Sequence, residues 1–289
     1  MPAVQSARSV KRKIRAVGNI KKITRAMQMV SAAKLKKAQE RLMEIRPYSD
    51  KIQEFLKDLT GQVKDLNYPL FVPRSEVKNI AVVVMMADKG LCGSYNSNMM
   101  RYTQRFLDEK NRPAKVVAIG RKAAEYFRKK GTEPKASHIQ LPTDVPFGQI
   151  KAITKTLVDM YSSGEADEVY LLFTRYVNAL TFKPGHVKFL PIEPEGKKEA
   201  GPALEYEFEP DPARILDKLI PRYVEVSFHR LLLESMSSEH AARMNAMRNA
   251  TDNASDLINS LTLVYNKARQ SGITKELLDI VGGAEALRG

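Results

Sequence analysis

The chain has 289 residues, of which 43% are hydrophobic and 28% are charged, and its formal net charge is +14. That composition is ordinary for a soluble protein, and no apolar run approaches the roughly 18 residues that could cross a membrane. The single cysteine, Cys92, excludes an intrachain disulfide and any cysteine-based zinc site.

The positive charge is concentrated at the N-terminus. Residues 1–46 contain thirteen Lys or Arg and only two acids, Glu40 and Glu44. A segment of this charge density favours an acidic partner, which can be nucleic acid, lipid headgroups or an acidic protein surface, although a solvated basic helix face often binds nothing specific. The segment does not have the apolar stretch of a secretory signal.

The first segment, residues 3–46, predicts one long helix. It contains no proline, and its apolar residues recur at spacings of three and four. We expect Pro47 to end or kink this helix, although the apolar period continues beyond it at Ile52, Phe55, Leu56 and Leu59. The apolar stripe shifts register twice, so that it consists of Val10, Ile14 and Val17, then Ile20, Ile23, Met27 and Val30, then Leu35, Ala38, Leu42 and Ile45.

The middle of the chain alternates between strand and helix patterns, which indicates an α/β layer with a mostly parallel sheet. The predicted strands are 80–86, 116–119 and 169–174, with a further edge strand at 187–190, and the predicted helices are 99–107, 121–130 and 150–161. Residues 191–212 are rich in Pro and Glu and predict a loop.

A second long helix is predicted to begin at Asp211–Pro212 and to end at Gly282–Gly283, with Pro221 as an interruption. Alternating steps of three and four predict a coiled-coil seam. The seam consists of Met247, Ala250, Ala254, Leu257, Leu261, Val264, Ala268 and Ser271.

The predicted fold class is therefore α/β: a long antiparallel coiled coil of the N- and C-terminal helices plus a central Rossmann-like α/β domain. The predicted domains are 1–60, 61–210 and 211–289. Helices of about 50 residues would form a rod of roughly 75 Å.

Residues that carry chemistry are few. His138, His186, His229 and His240 have no partner at metal-ligand spacing, so neither a metal nor a cofactor site is predicted. The stretch Asp88–Ser94 follows a strand, but it matches neither GxxxxGK[ST] nor GxGxxG. We interpret it as a tight turn in which Gly90 and Gly93 adopt positive φ and Cys92 packs inside.

Two alternatives stay open on these observations alone. One is a basic coiled-coil protein that binds nucleic acid, although residues 1–46 contain no aromatic side chain. The other is a nucleotide-binding α/β enzyme with helical arms.

Several motifs carry a family resemblance. They are KITRAMQMV at 22–30, DKGLCG at 88–93, EPDP at 209–212, AARM at 241–244, ATDNA at 250–254, YNKARQ at 265–270 and ITKEL at 273–277. Together they resemble the gamma subunit of the F-type rotary ATP synthase from end to end. Lys89 stands where this family often has arginine, and Phe208 where it often has tyrosine.

The resemblance implies a non-catalytic rotor shaft inside a hexamer of three alpha and three beta subunits, where proton-driven rotation is coupled to ATP synthesis on beta. It also implies contact with the epsilon subunit and the membrane c-ring, no nucleic acid, and a peripheral position on the cytoplasmic face of a bacterial inner membrane.

The resemblance further assigns individual residues. Those implied in coupling or partner contact are Met27, Arg243, Arg269, Gln270, Thr274 and Glu276. Those implied in foot contact are Tyr206, Phe208 and Glu209. The tail from Leu277 onwards would occupy an apolar bearing of the hexamer.

Overall fold

The computed structural model describes residues 7–62, 68–193 and 212–286. The chain forms two compact units, Ser31–Arg243 (the larger unit) and Met1–Val30 with Met244–Gly289 (the helix-pair unit). Two long helices, α1 (Ala7–Gln62) and α5 (Pro212–Ala286), contribute to both. The three-domain division at 60 and 210 stays a prediction.

The larger unit contains a five-stranded sheet in the order β3-β2-β1-β4-β5. The strands are β1 (Ile80–Met85), β2 (Ala114–Ile119), β3 (Ala136–His138), β4 (Glu168–Tyr176) and β5 (Phe182–Leu190), and the helices between them are α2 (Tyr95–Lys110), α3 (Arg121–Lys129) and α4 (Phe147–Ser162). Strands β1 to β4 pair in parallel, and β5 pairs antiparallel with β4 at one edge. The mostly parallel sheet and its edge strand are thus confirmed, whereas β3 was not predicted.

Every residue of β1 is buried, because helices cover both faces of the sheet. Alternate residues of β1 enter two different clusters. On one face Val82 packs with Met99 of α2, and on the other Val83 packs with Leu157 of α4 and Phe228 of α5. The continuous apolar run that predicted this strand is the sequence signature of burial on both faces.

Helix α1 does not end at Pro47, which lies inside it. The proline ring and Met43, whose carbonyl loses its helical donor, are both exposed, so water can satisfy that carbonyl. On the opposite face, the buried residues Ser49, Ile52 and Leu56 continue the packing, which holds the helix together beyond the proline. Pro221 likewise lies inside α5.

The prediction that Gly282–Gly283 end the second helix is wrong, since α5 continues to Ala286. Neither glycine adopts the positive φ of a helix-ending conformation. Glycine costs about 1 kcal/mol relative to alanine inside a helix, which weakens a helix end without breaking it.

Within the larger unit, α1 and α5 run antiparallel. The Lys34 charge acts on Glu239, near the end of this part of α5, whereas Tyr48 accepts a hydrogen bond from Arg222, near its beginning. Residue numbers therefore increase along α1 in the direction in which they decrease along α5, as predicted for an antiparallel coiled coil.

No helix among the described residues is long and apolar enough to span a membrane.

Candidate coupling surface

The helix-pair unit is held together by a regular seam. The Thr24 and Thr251 hydroxyls form a buried hydrogen bond of 2.8 Å, which fixes the register of the two helices. In an antiparallel pair this register places Lys21 opposite Ala254, and Ile14 opposite Leu261. The inward-facing residues are Val10, Ile14, Val17, Lys21, Thr24 and Gln28 of α1, and Met247, Thr251, Ala254, Ile258, Leu261, Tyr265 and Ala268 of α5.

This seam corrects the predicted α5 pattern at alternate positions. Met247, Ala254, Leu261 and Ala268 are seam residues as predicted. The seam residues that alternate with them on α5 are Thr251, Ile258 and Tyr265, each one residue later than the predicted Ala250, Leu257 and Val264. Leu257 is 47% exposed, and the predicted Ser271 is exposed as well.

The α1 stripe needs a similar correction, because its register does not shift. Ile20, Ile23 and Val30 are exposed, Ile23 by 59%, and Met27 is half-buried. The seam is continued instead by Lys21, Thr24 and Gln28. Apolar residues were assumed to face inward, yet in this stretch of α1 the polar ones do.

The displaced apolar residues lie together on one side of the pair. Seam residues are spaced alternately by three and by four. In an antiparallel coiled coil, the residues directly before the first member of each three-residue step lie on the same side of the pair in both helices. On α1 these positions hold Lys13, Ile20 and Met27, and on α5 they hold Ala250, Leu257 and Val264. We call this the apolar side; it consists of Ala16, Ile20, Ile23, Met27 and Val30 of α1 with Ala250, Leu257 and Val264 of α5.

The opposite flank carries the positive charge, and we call it the basic side. Its cations are Arg8, Lys11, Arg15, Lys22 and Arg25 of α1 with Arg248 and Arg269 of α5, all exposed. The first acid in α1 is Glu40, so no carboxylate of this helix offsets those charges. The helix pair therefore presents different chemistry on its two sides.

The residues implied in coupling do not form one cluster. Met27 lies on the apolar side, level with position 248 in the seam register. Arg269, Gln270, Thr274 and Glu276 are exposed beyond Ala268, the last seam residue. At 1.5 Å per residue, Arg269 lies about 30 Å along α5 from the level of Met27.

The end of α5 offers a long exposed surface. Every residue from 269 to 284 is exposed, including Leu277, Leu278, Ile280 and Val281. The Thr274 hydroxyl donates to the carbonyl of Gln270 at 3.0 Å, within the helix. An apolar helix end of this kind is typical of a segment that a partner covers.

Arg243 differs from the other implied residues, because it lies inside the larger unit. Its side chain is only 11% exposed and forms a 2.7 Å ion pair with Glu239 one turn earlier. Its guanidinium also donates to the carbonyls of Lys89, at 3.0 Å, and of Gly90, at 3.4 Å. Burial raises the pKa of Glu239, and the Arg243 charge opposes that rise.

The Asp88–Ser94 turn is a tight turn as predicted, with one difference. Positive φ falls on Leu91, at 61°, and on Gly93, at 58°, and not on Gly90. Cys92 is buried as predicted, in a small cluster with Tyr95 and Ala242. Since the turn directs two carbonyls at a guanidinium, it has the opposite polarity to a phosphate-binding loop.

Helix α5 also fills the crevice where doubly wound folds usually bind a ligand, beside the carboxyl ends of β1 and β4. The Tyr95 hydroxyl lies 2.9 Å from the Ser235 hydroxyl, and Ser238 donates to the carbonyl of Thr174 at 2.9 Å. His240 is buried beside them, and desolvation lowers its pKa to about 4. The polar run at 234–240 in the middle of a helix was the sequence signal for this cluster, and it was missed.

The remaining predicted sites have no described structure or no ligand set. Tyr206, Phe208 and Glu209 lie outside the described residues, as does the end of the tail at Leu287. Across the residues that the structure describes, no group of three His, Cys, Asp or Glu is arranged to hold a metal.

Comparison with known proteins identifies the family. A family model described as ATP synthase matches residues 6–287. The ATP synthase gamma chain of Symbiobacterium thermophilum is 44% identical over 286 residues, covering 99% of both chains. That of Heliobacterium modesticaldum is also 44% identical, covering 97% of this chain and 98% of its own.

Solved structures agree with this result. A chain in the central stalk and c-ring of the Tetrahymena thermophila mitochondrial ATP synthase aligns with a TM-score of 0.59 and 27% identity, covering 79% of this chain and 99% of its own. A chain in the rotor of the Euglena gracilis mitochondrial enzyme aligns with a TM-score of 0.63 over 92% of this chain and 98% of its own, and its 18% identity supports the fold alone. The chain belongs to the gamma-chain family of the ATP synthases.

Proposed function

We propose that this chain is the central rotor shaft of an F-type ATP synthase, which couples proton-driven rotation to ATP synthesis on the beta subunits. Its partners are three alpha and three beta subunits around the helix pair, with the epsilon subunit and the membrane c-ring at the foot. The observation that carries the proposal, beyond family membership, is the chemical difference between the apolar side and the basic side.

That difference supplies a mechanism without chemistry on this chain. A symmetric shaft would stabilise three surrounding catalytic interfaces equally, and its rotation would change nothing. A shaft with an apolar side and a basic side stabilises each interface differently, so rotation moves each site in turn between states of different nucleotide affinity. Rotation is therefore coupled to nucleotide affinity entirely through the difference in contact free energy between the two sides of the shaft and the surrounding subunits.

We further propose that the chain has no catalytic role and lies peripherally on the cytoplasmic face of a bacterial inner membrane. The filled crevice and the carbonyl-lined turn support a non-catalytic chain. The bacterial relatives support the location. The nucleic-acid alternative rested on the charge of residues 1–46, which the basic side explains equally well as a surface for acidic protein groups.

The decisive experiment is purification of the tagged chain from its native membrane source, with quantitative mass spectrometry of what accompanies it. We expect three alpha and three beta subunits per copy, and ATP hydrolysis only by the complex. Recovery of the chain with nucleic acid and without those subunits would refute the proposal, as would ATP turnover by the isolated chain.

A further inference from the structure

Each of the two long helices lacks one backbone hydrogen bond within the larger unit. Pro47 lies inside α1 and Pro221 lies inside α5, and a proline has no N–H to donate to the carbonyl four residues earlier. Those carbonyls belong to Met43 and Asp217, which are both exposed. Long helices kink most readily where their ladder of hydrogen bonds is interrupted. Both long helices therefore contain a point at which they bend more easily.

The residues that directly follow the two prolines are bonded to each other. The Arg222 Nε donates to the Tyr48 hydroxyl at 3.1 Å, and the guanidinium lies 5.4 Å from the centre of the Tyr48 ring. Glu225, which follows on α5 and is only 12% exposed, forms an ion pair with the same guanidinium at 3.6 Å. A single side chain thus connects the two interrupted helices next to their interruptions.

Helix α4 joins this contact through its first residue. The ring of Phe147 has its centre 4.2 Å from the Arg222 guanidinium, which is a cation–π distance. The loop before α4 is also tied to α1, because the Asp144 carboxylate accepts from Arg41 at 2.9 Å. One arginine therefore contacts α1, α4 and α5 together. We call this group the arginine clamp; it consists of Tyr48, Phe147, Arg222 and Glu225.

The clamp is too exposed to contribute much to folding. Tyr48 is 46% exposed and Phe147 is 38% exposed. Contacts between exposed side chains add little to the free energy of unfolding, since water competes for them. Their consequence for the molecule is mechanical, because they restrain how three neighbouring helices move relative to one another.

We infer that Arg222 is a positioning residue for torque transmission: its guanidinium makes α1, α4 and α5 turn as one body beside the two prolines, so that rotation of the sheet is passed to both long helices. The inference rests on the proposed function. Packed helices have axes about 8–10 Å apart, and two rods joined at that separation resist bending several-fold better than two that slide.

The first test is hydrogen exchange of the purified full-length chain, followed by mass spectrometry. The amides of Gln149 and Ile150 donate to the carbonyl of Pro146 at 2.9 and 3.4 Å, so their exchange reports opening of the first turn of α4. We expect Arg222→Ala to accelerate exchange here by about five-fold, since a cation–π contact and a hydrogen bond are lost from the closed state.

The pattern of exchange separates a local clamp from a general loss of stability. Peptides from 47–53 should also exchange faster in Arg222→Ala, whereas those from β1 should not. The matched control is Lys36→Ala, which alters an exposed ion pair with Glu40 within α1 and should change neither region. Equal acceleration throughout the chain, or unchanged exchange at the start of α4, would overturn the inference without bearing on the proposed function.

The second test measures the stiffness of the shaft in the assembled complex. The end of α5 is fixed to the hexamer by an engineered disulfide, and a gold nanorod attached to α3 reports the angle of the larger unit. We expect Arg222→Ala and Phe147→Leu to raise the variance of this angle about two-fold, because helices that were joined side by side then move separately. Arg222→Lys keeps the cation but not the planar fork, so its variance should be intermediate.

Protons pumped per ATP hydrolysed should be unchanged in these variants, because an elastic element returns the work that it stores. A lower ratio with an unchanged variance would show that Arg222 acts on contacts with other subunits and would overturn the inference. Phe147→Leu changes a partly exposed side chain, so an unchanged variance in that variant has the same meaning even if the Arg222 variants do not assemble. Failure of the wild-type chain to assemble with alpha and beta subunits would instead refute the proposed function.

Discussion

The register of the helix pair can be tested by placing the same substitution at two alanines one turn apart on α5. Ala254 is a seam residue and is 7% exposed, whereas Ala250 is half-buried on the apolar side. Leucine and alanine have similar helix propensities, so any difference between Ala254→Leu and Ala250→Leu reports packing.

The expected cost follows from the space at each position. In the Thr24–Thr251 register, Ala254 lies opposite Lys21, and its side chain is buried. Overpacking a closely packed site costs about 1–3 kcal/mol, and in a coiled coil it also separates the helix axes. At Ala250 the added carbons can turn toward solvent, so a change within about 0.5 kcal/mol is expected.

The assay is urea and thermal unfolding of the full chain, followed by helical circular dichroism, and then recovery of the assembled complex with each variant. For a chain of this size, each kcal/mol lost lowers the melting temperature by about 2–4 °C. If Ala250→Leu destabilises the chain as much as Ala254→Leu, the seam runs through Ala250 and the described register is wrong.

Three further predictions address other contacts. Thr24→Val with Thr251→Val should change the free energy of unfolding by less than about 1 kcal/mol, because both hydrogen-bonding partners are removed together; a loss above about 2 kcal/mol in urea unfolding would contradict this. The neutral, buried His240 should make the chain less stable as pH falls from about 6.5 toward 4, by about 3 kcal/mol in all, since the unfolded state binds the proton first. His240→Gln should reduce the total loss of stability in a pH series of urea unfolding curves by about that amount, the remainder coming from the other histidines whose pKa burial lowers, and an unaltered slope would refute it. Met27→Lys, which places a cation on the apolar side, should lower protons pumped per ATP while assembly persists, whereas Met29→Lys, beside Lys22 and Arg25, should not; equal effects would argue against two distinct sides.

The sheet was predictable from sequence because burial on both faces leaves a continuous apolar run. The strand at 80–86 is such a run, and the structure contains β1 there. Strand β3 has only three residues, Ala136–His138, none of them fully buried, so neither its length nor its composition distinguishes it from a loop. It is a strand because its backbone pairs with β2, and pairing of that kind leaves no local signal.

The candidate site was less predictable, because the sequence argument assumed that apolar residues face the partner helix. Ile20, Ile23 and Val30 recur at helical spacing, and so do Leu257 and Val264, which lie one residue before seam residues of α5. The seam itself takes Thr24, Gln28 and Thr251, whose spacing is equally regular but whose polarity hides it. Likewise, nothing local distinguished the buried Arg243 from the exposed Arg269.

The polar seam and the apolar exterior have a common physical cause. A helix pair that is folded by its own seam alone would bury its isoleucines there, since each gains about 1.5–3 kcal/mol on burial. Here Ile20 and Ile23 are exposed in the isolated chain and can gain that free energy only when another protein covers the apolar side. The distribution of apolar surface therefore divides the stability of the helix pair between its own small, polar seam and the subunits around it. At any one orientation of the shaft, the surrounding subunits contact its two sides unequally. The part of the helix pair's stability that comes from those contacts is therefore also the part that depends on rotation.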